Sequence, residues 1–151
     1  MRTVGVAVMS DPVGSYGPSE LARRWVRALS EHDLDRVADC FAEDYIDEAP
    51  ARRGEQVHGR DEVRRNFGRL FAELPDLRAE ALATATNGQR VWIEWRMYGT
   101  RRDGSLMEFV GVNVFEVMNG RFCRGRIYTE LVRDAGGIDA QVDRMTRGPA
   151  G

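Results

Sequence analysis

The side chains most often recruited for acid–base or nucleophilic work are few in this sequence: His32, His58, Cys40 and Cys123. His58 stands directly before Gly59-Arg60-Asp61, where a helix begins. Histidine titrates near neutral pH, so a loop histidine folded over a pocket would supply a proton donor or acceptor; the competing reading is a solvated loop residue. His32 falls in a turn between helices and is assigned no role. Cys40 and Cys123 lie far apart within apolar patterns, as reduced structural thiols do, and a reduced cytoplasm is the compartment they suggest. The two histidines and two cysteines lack the close spacing of metal ligands, so no metal site is expected. All 22 basic residues are arginine. Without a lysine amine, Schiff-base chemistry is excluded. A net charge of −2 argues against a nucleic-acid partner. No apolar run is long enough for a membrane span.

These groups need a scaffold. A chain of 151 residues suits one domain. Residues 1–17 read as a loose arm, 18–134 as the folded unit and 135–151 as a tail with one helical turn. Ser19 is the expected cap of a first helix carrying Leu21, Trp25, Val26 and Leu29 at helical spacing. Asp33 caps a short second helix with Leu34, Val37, Ala38 and Phe41 on one stripe. Asp44–Pro50 reads as a brief extended segment and Ala51–His58 as a polar loop. A third helix runs from Arg60 to Leu74, with Val63, Phe67, Leu70 and Phe71 as its buried face. Beyond Pro75, runs rich in β-branched and aromatic residues span Leu77–Thr86, Arg90–Thr100, Leu106–Met118 and Arg121–Arg133. Asn87-Gly88, Asp103-Gly104 and Asn119-Gly120 separate them as tight hairpins. The expected fold is therefore α+β: three N-terminal helices on a curved four-stranded antiparallel meander, enclosing a cone-shaped pocket.

The stretch from Ala22 to Asp44, together with HGRDEVRRNFGRLF (His58–Phe71), the Asn-Gly hairpin before VWIEWR and VNVFEVMNGRF (Val112–Phe122), resembles the SnoaL-like polyketide cyclases and ketosteroid isomerases of the nuclear transport factor 2-like superfamily. Limonene epoxide hydrolase is similar in FAED, GRD and the last hairpin. The resemblance covers most of the chain and implies the fold. It also implies which positions carry chemistry in the relatives, and most are changed here. The isomerases' helix-1 tyrosine falls at Trp25, their aspartate base at Ala49 and their protonated aspartate at Asn113. The hydrolases' strand Arg and Asp fall at Trp95 and Met97, their second Asp at Ile127, and their water-holding Tyr and Asn at Asp47 and Ala49.

The register implied by the resemblance, with alternate strand residues on opposite faces, turns Asp47, Ala49, Ile93, Trp95, Met97, Phe109, Gly111, Asn113, Phe115, Ile127 and Thr129 inward. Asp47, a carboxylate among Trp, Met and Phe, is the expected general acid or base. Asn113 is the expected donor to a substrate oxygen. Trp25, His58, Phe67, Trp95, Met97, Phe109, Phe115, Ile127 and Thr129 are the expected substrate contacts. Arg126, Tyr128 and Glu130, with Glu94 and Arg96, have outward parity and read as sheet pairing or dimer contacts. The reading that follows is a cofactor-independent enzyme in the cytoplasm, a homodimer, acting on a small hydrophobic molecule by isomerisation, cyclisation, dehydration or epoxide opening. A non-catalytic ligand-binding protein and a dimeric interaction module of the same fold are the alternatives.

Overall fold

The structure, a computed structural model, describes residues 16–148, so most of the expected arm lies outside the described residues. Helix α1 spans Pro18–Ser30. Pro18 supplies the preset φ of a first helical turn, and Gly17, not Ser19, holds the cap position. The Ser19 hydroxyl instead meets Thr84 Oγ1 at 3.0 Å, tying the helix to the sheet. Leu21, Ala22, Trp25, Val26, Ala28 and Leu29 form the buried stripe. His32 ends this segment with φ 53°; its Nε2 meets Leu77 O at 2.8 Å and its ring stacks on Phe71.

Helix α2, Leu34–Asp39, is capped by the Asp33 carboxylate, which accepts from Arg36 N at 3.1 Å. Phe41 does not continue its stripe. The helix stops, and Phe41–Glu48 form strand β1, followed by β2 (Gln56–His58), helix α3 (Arg60–Glu73), β3 (Arg78–Asn87), β4 (Arg90–Thr100), β5 (Leu106–Met118), β6 (Arg121–Leu131) and helix α4 (Gly137–Thr146). The expected three-helix, four-strand count is thus corrected to four helices and six strands among the described residues. The meander is present as β3–β6, and the sheet order is β2-β1-β6-β5-β4-β3.

The additional strands arise from pairing, not propensity. β1 lies parallel to the free edge of β6, with Phe41 opposite Phe122, and β2 is antiparallel to the other edge of β1. A polar segment such as Gln56–His58 becomes a strand because a neighbouring backbone is available, which tertiary context can impose against local preference. Register shifts at Phe41/Ile46, Ala81/Ala83 and Glu116/Val117 bend the strands.

Only one hairpin is the expected two-residue Asn-Gly turn. Asn119 and Gly120 have φ 53° and 72°. The first turn is displaced by one residue: Asn87 pairs with Arg90, leaving Gly88-Gln89 as the loop, with positive φ at Gly88 alone. The middle connection is a five-residue loop between Thr100 and Leu106. In it the Asp103 carboxylate accepts from Ser105 N at 2.9 Å. Helix α1 covers β3 and β4, while α3 covers β1 and β2. Trp25, Phe41, Phe115 and Phe122 pack together at the base of the core, Phe115 stacking on Phe122 at 4.0 Å. Among the described residues, no helix is long and apolar enough to cross a membrane.

Candidate functional site

A cavity of about 270 Å³ lies between the helices and the inner sheet face. Trp25 of α1 and Val63, Asn66, Phe67 and Leu70 of α3 form its helical side. On the sheet side, β1 contributes Phe41, Tyr45 and Asp47, and β2 contributes Val57. Trp95 and Met97 come from β4, Phe109, Asn113 and Phe115 from β5, and Ile127 and Thr129 from β6. The antiparallel register explains the grouping. Trp95 faces Gly111, Met97 faces Phe109, and Asn113 faces Ile127, so one parity of three strands meets in one hollow.

Every residue expected to act or bind therefore lines this cavity except His58. That residue is exposed, and its backbone N–H donates to Glu62 Oε2 at 2.7 Å. The reason is alternation: β2 turns Val57 toward the cavity, so its neighbour faces away. Ile93 and Ala49 are buried but belong to the packed core, not to the cavity wall.

Asp47 is anchored at both oxygens. The Tyr45 hydroxyl donates to Oδ2 at 3.0 Å, and Val57 N donates to Oδ1 at 3.0 Å. Burial raises its pKa above the ordinary 3.8, and the charge of Glu62 adds to the rise; the Tyr45 and Val57 bonds and the nearby His58 oppose it. Tyr45 is held as the neutral phenol, its pKa pushed well above 10.0 by burial and by the Asp47 carboxylate. Gly125 makes this pair possible. A Cβ there would overlap the Tyr45 hydroxyl and sit 3.2 Å from Asp47 Cβ. Sequence reasoning does not single out Tyr45, Val57 or Gly125. Tyr45 is two residues before Asp47 on one strand face, a signal readable only once 41–48 is known to be a strand.

Three buried polar side-chain atoms have no hydrogen-bond partner among the described residues: Trp25 Nε1, Trp95 Nε1 and Asn113 Oδ1. All three residues line this cavity. Leaving such an atom unpaired ordinarily costs about 1–3 kcal/mol. The thiols are poor nucleophiles: burial pushes Cys40 up to about 12 and also raises Cys123. No cluster of metal-binding side chains occurs among the described residues.

The outer sheet face carries the ion pairs that parity assigned to it. Arg96 Nε donates to Glu108 at 2.8 Å and its guanidinium lies over the Tyr98 ring at 4.1 Å. Arg126 pairs with Glu48 at 3.5 Å, and Tyr128 and Glu130 are exposed. Arg52 is paired with Glu55 at 2.6 Å and donates to Thr129 O at 2.9 Å.

A bent sheet closed by helices over one mostly apolar, one-carboxylate hollow defines a pocket-bearing α+β fold. The SnoaL-like domain matches residues 22–125, and the chain belongs to that family. No curated protein is significantly similar in sequence. Bal32a, from a soil-derived mobile gene cassette, is similar at 27% identity and a TM-score of 0.65, over 74% of this chain and 88% of that one. IdmH from Streptomyces antibioticus, a proposed polyketide cyclase, is similar at 19% identity and a TM-score of 0.65, over 76% and 93%. An LEH-like epoxide hydrolase from M. tuberculosis is similar at 19% identity and a TM-score of 0.62, over 73% and 80%.

Proposed function

We propose that this chain is an enzyme performing proton-transfer chemistry on a small apolar molecule, with Asp47 as its general base or acid and no cofactor in the proton-transfer step. One observation carries the reading: a carboxylate lines an otherwise mostly apolar cavity, with its pKa raised chiefly by burial. Raising that value toward the working pH makes both protonation states accessible, which acid–base catalysis requires. Each Asp47 oxygen accepts one protein hydrogen bond. A carboxylate oxygen has a second lone pair, so each can still meet a proton of a bound molecule. Asn113, on the facing strand pair, is the group proposed to polarise the substrate. The SnoaL-like family membership and the proposed cyclase and epoxide hydrolase among its structural relatives are consistent with this class of reaction.

The test works without an identified natural product. Small cyclic ketones and epoxides are screened for binding by thermal shift, and those that bind are incubated in D2O. Exchange of carbon-bound hydrogen next to the carbonyl, or epoxide opening, is followed by NMR. The expected result is turnover by the native protein and at least a hundred-fold loss in Asp47→Asn, with binding retained. Unchanged turnover in Asp47→Asn removes the carboxylate from the mechanism; binding without any turnover makes the chain a ligand carrier.

A further inference from the structure

The walls of the cavity fix how large an occupant can be, and the inference drawn from them rests on the pocket reading above. Exposure tells the mouth from the closed end. Asn66 is exposed and Phe109 and Thr129 are half-buried, whereas Trp95 and Met97 are each 4% exposed and lie at the closed end. Trp25, the other lining indole, is committed to the core: Phe41, Phe67, Phe115 and Phe122 all meet its ring edge-on.

Trp95 is placed differently. Strand pairing sets Ala81 of β3, Trp95 of β4, Gly111 of β5 and Thr129 of β6 in one row across the inner face. The row runs from Thr129 at the mouth toward Ala81, on the side of the sheet that α1 covers. Alanine, glycine and threonine are small, so the indole is the bulk of that row. Its ring lies over Gly111. A Cβ there would stand 2.7 Å from Trp95 Cζ2 and 3.1 Å from Cε2, and would overlap the Tyr128 carbonyl oxygen. Gly111 does not line the cavity, although its inward neighbours Phe109 and Asn113 do. At this row the indole has replaced the floor of the sheet.

A cavity of about 270 Å³ falls below the usual span of ligand sites, roughly 300 to 1,000 Å³. At about 30 Å³ for each water, a cavity of about 270 Å³ has room for roughly nine waters, or for a compact molecule of about ten non-hydrogen atoms. We infer that Trp95 sets the size limit of the substrate: the site takes compact, mostly apolar molecules of up to two fused rings, and the indole bars a third. A smaller side chain at this position opens the row as far as Ala81 and admits the larger molecule.

The experiment uses three ketones that share one five-membered ring and differ only in fused benzene rings: cyclopentanone, 1-indanone and 9-fluorenone. Their affinities are measured by ligand-observed NMR for the native protein, Trp95→Leu and Trp92→Leu. Trp92 lies on the outer face, beside the open trough containing Arg90 and Glu116, and serves as the control. The native protein should bind 1-indanone about ten-fold tighter than cyclopentanone, from the added apolar area. It should bind 9-fluorenone about ten-fold or more weakly than 1-indanone, as overpacking dictates. In Trp95→Leu, 9-fluorenone should gain about ten-fold or more and become the tightest of the three, whereas Trp92→Leu keeps the native order. If Trp95→Leu fails to fold, the native series decides, together with nuclear Overhauser contacts from 1-indanone to the Trp95 ring. Equal native affinity for two-ring and three-ring ketones, an unchanged limit in folded Trp95→Leu, a limit lost in Trp92→Leu as well, or no contact with the Trp95 ring would each overturn the inference. Failure of all three ketones to bind defeats the pocket reading with it. The two readings separate because the affinities need no turnover. A size limit without hydrogen exchange defeats catalysis alone, and exchange without a size limit defeats the role of Trp95 alone.

Discussion

Replacing Tyr45 with phenylalanine removes one oxygen and leaves the rest of the ring's shape unchanged. The ring is 1% exposed and packs edge-on against Phe41 at 4.7 Å, and both features survive. The loss is the hydrogen bond at 3.0 Å to Asp47 Oδ2. A bond to a charged acceptor contributes about 1.5–3 kcal/mol. Asp47 is only half-buried, so water recovers part of this and the lower end applies. For a domain of this size each kcal/mol moves Tm by roughly 2–4 °C, so Tyr45→Phe should melt about 3–6 °C lower at pH 7. The same bond favours the carboxylate over the acid, so its loss moves the Asp47 midpoint further up. The assay is a double-mutant cycle with Asp47→Asn by urea denaturation, with a carboxyl 13C titration of the single mutant. A coupling of at least about 0.5 kcal/mol is expected for residues in direct contact. Additive effects, or an unmoved Asp47 midpoint, would refute the idea that Tyr45 positions and tunes the carboxylate.

Other outcomes follow from the same geometry. Asp47 has a folded-state pKa above 3.8, so between the two values the native protein holds more protons than the unfolded chain. Stability therefore falls as pH rises through that window. The Tm of Asp47→Asn relative to the native protein should climb in the mutant's favour from about pH 3.8 upward and then level off; a flat difference from pH 3.5 to 7.5 contradicts the raised pKa. Gly125→Ala pushes a methyl into the Tyr45 hydroxyl and should destabilise by about 1–3 kcal/mol, as overpacking does. Combining it with Tyr45→Phe should relieve much of that loss; equal damage in both backgrounds rules out the hydroxyl as the obstacle. Cys40, buried with its thiol pushed up to about 12, should resist iodoacetamide at pH 8 until the protein is unfolded, as mass spectrometry of the labelled peptides would show.

The elements legible in the sequence have strong local signals. β4 and β5 have the expected limits because β-branched and aromatic residues recur between turn residues. Helix α3 begins at Arg60 as expected. Strands β1 and β2 escape a reading of the sequence as an eight-residue and a three-residue strand for one reason. The edge that organises β1 is remote in the chain, Phe41 meeting Phe122 about eighty residues away, and β2 in turn forms against β1. The same gap misplaces Phe41 on a helix stripe and puts His58 over the pocket. The inward set on β4, β5 and β6 is readable because a known register and period-two alternation are enough.

What the chain determines by itself is its alternation of apolar and polar residues, its turns and its residue types. These require a helix-covered meander whose inner parity is apolar around Asp47 and Asn113. What tertiary structure decides is who meets whom at hydrogen-bonding distance. The Tyr45–Asp47 bond depends on the empty space at Gly125 across a parallel strand pair. The meeting of Trp25, Trp95 and Asn113 around one hollow depends on how α1, β4 and β5 come together. Periodicity assigns a side chain to a face, whereas pairing a polar atom requires the positions of groups brought together only by folding.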